Sequence, residues 1–97
     1  MKRGFFKFRL YVANETQNSQ RAVANLSALC RAHLPQRHAI EIVDVLKWPK
    51  RALADGILMT PTLLKLAPGP VTKIIGTLGQ THIVLEALGL PMLAVAA

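Results

Sequence analysis

Cys30 and His33, three residues apart, are this sequence's nearest approach to a metal-ligand spacing. A two-residue match without a second pair does not make a zinc or iron site, which takes three or four such groups. Of the histidines His33, His38 and His82, the last is far from the other two in the chain. Cys30 also falls on an apolar helical stripe, the place of a small core residue rather than of a reactive thiolate. Asp44 and Asp55 have no evident acid/base companion. Gly76-Thr77-Leu78-Gly79 lacks the lysine and the spacing of a phosphate-cradling loop. These residues predict no catalytic set, no metal and no cofactor.

The elements that would position such residues can be read from the hydrophobic pattern. Phe6 to Ala13 alternates, with Phe6, Phe8, Leu10 and Val12 pointing one way and Lys7, Arg9 and Tyr11 the other, which predicts a central strand. A helix is predicted over Ser19–Leu34, with Asn18 or Ser19 as its cap and Pro35 as its stop. His38 to Leu46 predicts a second strand, parallel to the first because a helix intervenes. Pro49 to Asp55 predicts a short helix closing at Gly56. Thr62 to Ala67 and Val71 to Ile75 predict a hairpin joined by Pro68-Gly69-Pro70. Thr81 to Leu88 predicts a last helix ending at Gly89, with Ile83, Val84, Leu85, Ala87 and Leu88 largely inside. Met92 to Ala97 is an apolar tail.

Ninety-seven residues with 52% hydrophobic and 18% charged side chains suit one folded domain over 1–97, its core at about 6–90. No apolar run is long enough for a membrane span, and no small-residue cleavage site follows the basic start, so a cytoplasmic protein is expected. The net charge of +7 is spread from Lys2 to Lys73 without blocks or interleaved aromatics. Nucleic-acid binding is therefore the weaker reading of that charge.

The order β-α-β-α-β-β-α, with Thr60-Pro61 before the third strand, resembles the α/β thioredoxin plan. Thioredoxin chemistry needs a low-pKa cysteine at the start of the first long helix. Thr16-Gln17-Asn18-Ser19 stands there instead, so oxidoreductase activity is not expected.

Leu10-Tyr11-Val12-Ala13, Thr16, Asn18-Ser19 and Arg21-Ala22 resemble the first strand and helix start of the KaiB family of circadian-clock proteins. So do Val43-Asp44-Val45-Leu46-Lys47 with Pro49, Ile57-Leu58 with Thr60-Pro61-Thr62-Leu63, Lys65, and Pro70-Val71 running to Ile74-Ile75-Gly76 with Leu78. The resemblance covers Phe6 to Leu90. It implies a non-enzymatic regulator that binds the hexameric ATPase KaiC and, in the clock, helps to sequester KaiA. It also implies two folds: a thioredoxin-like βαβαββα monomer, and a βαββααβ ground state that assembles as a tetramer. The N-terminal βαβ half is common to both.

By the same resemblance the partner surface would use Arg21, Lys47, Trp48, Lys65 and Lys73. The exchange between folds would rest on Pro61, Pro68, Pro70, Gly76, Ala87 and Gly89. The chain departs from the clock pattern in its positive charge and in Pro91 to Ala97, where clock proteins carry an acidic extension. Clock proteins also have Gly-Leu-Asp where this chain has Ala87-Leu88-Gly89. Alanine in place of glycine favours a helix by about 1 kcal/mol, so the thioredoxin-like state should be more populated here. Two alternatives remain open at this level. One is a free-standing thioredoxin-like sensor module, like the KaiB-related domain on some histidine kinases. The other is a basic nucleic-acid-binding module.

Overall fold

The structure, a computed structural model, describes residues 4–91. Its elements are β1 (Phe6–Val12), α1 (Gln17–His33), β2 (His38–Asp44), α2 (Pro49–Ala54), β3 (Thr62–Ala67), β4 (Thr72–Ile75) and α3 (Thr81–Leu88). This is the βαβαββα order, and the βαββααβ alternative is not the arrangement described. The apolar tail Met92–Ala97 lies outside the described residues.

The sheet runs β2-β1-β3-β4. β1 and β2 are parallel, with Phe8 opposite Ile40 and Leu10 opposite Ile42. The crossover helix α1 makes that pairing possible. β1 pairs antiparallel with β3, Leu10 opposite Leu63, and β3 with β4, Leu63 opposite Ile74. The alternation of β1 holds. Phe6, Phe8, Leu10 and Val12 join Leu63 and the buried sides of α1 and α3 (Ala22, Leu26, Leu29, Cys30, Val84, Leu85, Leu88) in the main core. Tyr11 faces the other way and forms a smaller cluster with Val43, Leu64 and Ala52 of α2.

The ends of several elements differ from expectation for local reasons. α1 is capped by Thr16, whose hydroxyl accepts from the Ser19 N–H at 3.3 Å, and not by Asn18 or Ser19. Ser19 is 2% exposed, and its hydroxyl turns back to accept from the Ala13 N–H at 3.1 Å. β2 ends at Asp44 because Asp44 folds the chain over. Its Oδ1 accepts from the Leu46 N–H at 2.8 Å, and its carbonyl accepts from Lys47 and Trp48. α3 keeps the predicted limits and closes on Gly89 at φ 75°, where a side chain would be strained. Ile83 and Ala87 lie on its exposed side rather than inside. No helix among the described residues is long and apolar enough to cross a membrane.

Candidate partner-binding surface

The sharp turn at Asp44 delivers Leu46, Lys47 and Trp48 to solvent at one end of the sheet. Pro49 then starts α2, its fixed φ suited to a first helical residue. Of the six residues of α2 only Ala52 is buried. The outward side chains here are mostly apolar: Leu46, Trp48, Leu53, Leu58 and Met59 are all more than half exposed. Lys47, Trp48, Pro49, Lys50 and Arg51 line a shallow hollow of about 270 Å³. A second hollow of about 170 Å³ lies under Leu58 and Met59, floored by Val45, Ala52 and Ile57.

The expected partner residues do not form one site. Lys47 and Trp48 stand together at the entrance to α2. Lys73 reaches the other end of the helix from β4, where its Nζ donates to the Gly56 carbonyl at 3.0 Å. Arg21 is exposed on α1, across the sheet. Lys65 is only 7% exposed, with its Nζ 5.8 Å from the centroid of the Phe6 ring. Nor do the six switch residues touch α2's outer surface. Pro61 is buried at the entrance to β3, its carbonyl accepting from the Gly76 N–H at 2.9 Å. Gly76 ends β4 at φ 118°. Pro68 and Pro70 sit exposed in the β3–β4 turn, and Ala87 and Gly89 at the end of α3.

Beneath α2 lies a polar network that the sequence reading did not assemble. The Tyr11 hydroxyl donates to Asp55 Oδ2 at 2.6 Å and also reaches the Arg51 carbonyl at 3.0 Å. Arg9 donates from Nη1 to Asp55 at 3.0 Å and from Nε to Glu41 at 2.8 Å. Arg51 donates to the second oxygen of Glu41 at 2.8 Å. The Tyr11 hydrogen bond, then Arg9, hold the Asp55 carboxyl below its ordinary range. Hydrogen bonds from Arg9 and Arg51 do the same for Glu41. Burial, then the Asp55 hydrogen bond, push the Tyr11 phenol up. One signal was present in the sequence: a charged Arg9 inside a central strand needs a partner.

The space within the Arg9–Tyr11–Asp55 cluster is about 140 Å³. Cys30 is fully buried, and desolvation pushes its thiol up to about 11. Among the described residues no group of three or more His, Cys, Asp or Glu could hold a metal ion. What the arrangement offers is a surface, apolar at its centre and basic beside it.

The family model described as KaiB domain matches residues 9–90. A curated relative, the circadian clock protein KaiB3 of Synechocystis sp., is 41% identical over 80 residues, which cover 82% of this chain and 78% of the relative. Among solved structures, the N-terminal domain of Synechococcus elongatus SasA superposes with a TM-score of 0.72 at 17% identity, covering 92% of this chain and 88% of that domain. The germline-specific thioredoxin Deadhead of Drosophila melanogaster superposes with a TM-score of 0.70 at 13% identity, covering 88% of this chain and 79% of its own. At these identities the two structures speak to the fold, which is thioredoxin-like.

Proposed function

This chain belongs to the KaiB family of circadian clock proteins, and from that membership we propose that it is a non-enzymatic regulator that docks on a KaiC-type hexameric ATPase. Docking would modulate the ATPase's clock or stress-signalling output in the cytoplasm. The observation that carries this reading is the α2 surface. Trp48 is 57% exposed and Leu53 76% exposed, with Lys47 and Lys50 beside them. Exposed apolar patches rimmed by charge mark protein interaction sites, and a tryptophan at the centre of such a patch is a typical anchor. The two lysines favour an acidic rim on the partner and speed encounter with it. KaiA, or a histidine-kinase pathway, would connect to the complex.

The test is binding of the full chain to the KaiC-type ATPase of the same cell, with and without nucleotide. Trp48→Ala should weaken binding by more than about tenfold, as loss of a central anchor does. Lys47→Glu should slow association and change its salt dependence. Wild-type protein that leaves the ATPase unbound in every nucleotide state would overturn the reading.

A second reading is a stand-alone thioredoxin-like module that never assembles as a tetramer. Helical Thr81–Leu88 favours it, since that is the segment the resemblance assigns to refolding. Size-exclusion chromatography at several concentrations separates the two. The basic nucleic-acid reading is tested by salt, because binding through phosphates must weaken steeply as salt rises.

A further inference from the structure

A helix of six residues cannot hold its own shape in water, where roughly 12–15 residues are needed for even marginal stability. α2 is that short, it buries only Ala52, and Trp48 gives it no side-chain cap. Its place on the sheet must come from elsewhere. Among the described residues, the side-chain hydrogen bonds and ion pairs that hold it from the sheet all reach Arg51, Asp55 or Gly56, and they come from three different strands. Tyr11 and Arg9 of β1 bind Asp55, Glu41 of β2 binds Arg51, and Lys73 of β4 binds the Gly56 carbonyl. Tyr11 is central among these. Its ring is fully buried, so its hydroxyl is fixed in space, and it meets both the Asp55 carboxylate and the Arg51 carbonyl.

We propose that Tyr11 and Asp55 form a positioning pair for partner recognition. Held at its C-terminal end by this pair, α2 presents Lys47, Trp48 and Lys50 around one hollow at the other and leaves Leu53 exposed. Neither residue would touch the partner. The inference rests on the docking reading above and adds to it the device that sets the docking face.

The experiment compares the wild-type chain with Tyr11→Phe, which removes only the hydroxyl, and with Asp55→Asn, which removes the charge. Amide hydrogen exchange is followed along the chain, and affinity for the KaiC-type ATPase is measured beside it. The amides of Asp55, Gly56 and Ile57, which bond to the Arg51, Leu53 and Ala52 carbonyls, should exchange about tenfold faster in both variants. Those of α1 should hold their rates. Affinity should fall by about threefold or more, while Glu86→Gln on α3 leaves both readouts alone. The double variant should be little worse than the poorer single one, as for residues acting through one link. Exchange that is unchanged in α2, or raised equally in α1, overturns the pair as a positioning device. Faster exchange in α2 with unchanged affinity overturns its link to recognition. If the wild-type chain does not bind the ATPase, the docking reading falls, and with it that link. The exchange comparison alone then decides whether the pair places α2.

Discussion

The Lys65 ammonium lies 5.8 Å from the centroid of the Phe6 ring, and both residues are less than a tenth exposed. They share the sheet face that carries α1 and α3. Among the described residues no acid pairs with this lysine, and the ring face is its electrostatic partner there. A desolvated cation over an aromatic ring contributes about 0.5–2 kcal/mol. A double-mutant cycle with Lys65→Met and Phe6→Leu, read by urea unfolding, should return a coupling of about that size. A coupling of zero would leave the amine free to serve a partner, as the sequence suggested.

Cys30 should be silent in the native state. With the thiol buried and pushed to about 11, a disulfide reagent at pH 8 should label it only after unfolding. Cys30→Ser should destabilise the fold by about 1–3 kcal/mol, since it puts a hydroxyl into a fully buried apolar site. Rapid labelling of the folded chain would contradict this placement.

Acid should loosen α2. The folded-state pKa values of Asp55 and Glu41 are both lowered. Their contribution is therefore present above the ordinary carboxylate range and is lost as pH falls through their depressed folded values. Far-ultraviolet and exchange measurements on lowering pH should show α2 amides opening before those of α1. In Asp55→Asn that early step should shrink. An α2 that persists as long as α1 would argue against the network's role.

The Asn25 amide donates to the Thr77 carbonyl at 2.7 Å and so ties α1 to the loop before α3. That loop holds Leu78 at φ 64° although it is 7% exposed and part of the core. A non-glycine residue in this region costs roughly 1–2 kcal/mol and persists only where its neighbours hold it. Asn25→Ala should lower stability by about 1 kcal/mol and raise exchange over Thr77–Gln80. Unchanged exchange there would show that burial of Leu78 alone suffices.

Ala87 and Gly89 should favour α3. Replacing Ala87 with glycine removes about 1 kcal/mol of helix preference. Gly89→Asp puts a side chain at φ 75° and an anion at a helix C-terminus, at a cost of about 1 kcal/mol or more in total. The double variant, which restores the clock-type Gly-Leu-Asp pattern, should weaken NMR helix signals over Thr81–Leu88 and raise any tetramer fraction. A wild-type monomer with no helix over that segment would refute the expected bias.

Local signals made most of this fold legible. The alternation of β1, the Pro68-Gly69-Pro70 turn, and the limits of β3 and α3 all depend on neighbours within a few residues. The cap at Thr16 was missed because Ser19, an equally good cap by type, is drawn back to β1 by a contact that only the folded chain makes. Lys65 read as a surface charge because the sequence cannot show which side of β3 is covered. The Arg9–Tyr11–Glu41–Asp55 network was hidden for the same reason: Arg9 called for a partner, but the bonded partners lie 32 to 46 positions apart. Lys47 and Trp48 were legible together because one turn carries both.

The chain has a single indole, Trp48, and it stands at the entrance to α2, 57% exposed. Its emission should therefore respond to whatever covers that shoulder, with no dye attached. An incoming protein that seats there would shift the spectrum toward the blue, whereas one that takes the opposite side of the sheet would leave it unmoved. The molecule thus carries its own optical reporter for the question of which side is used.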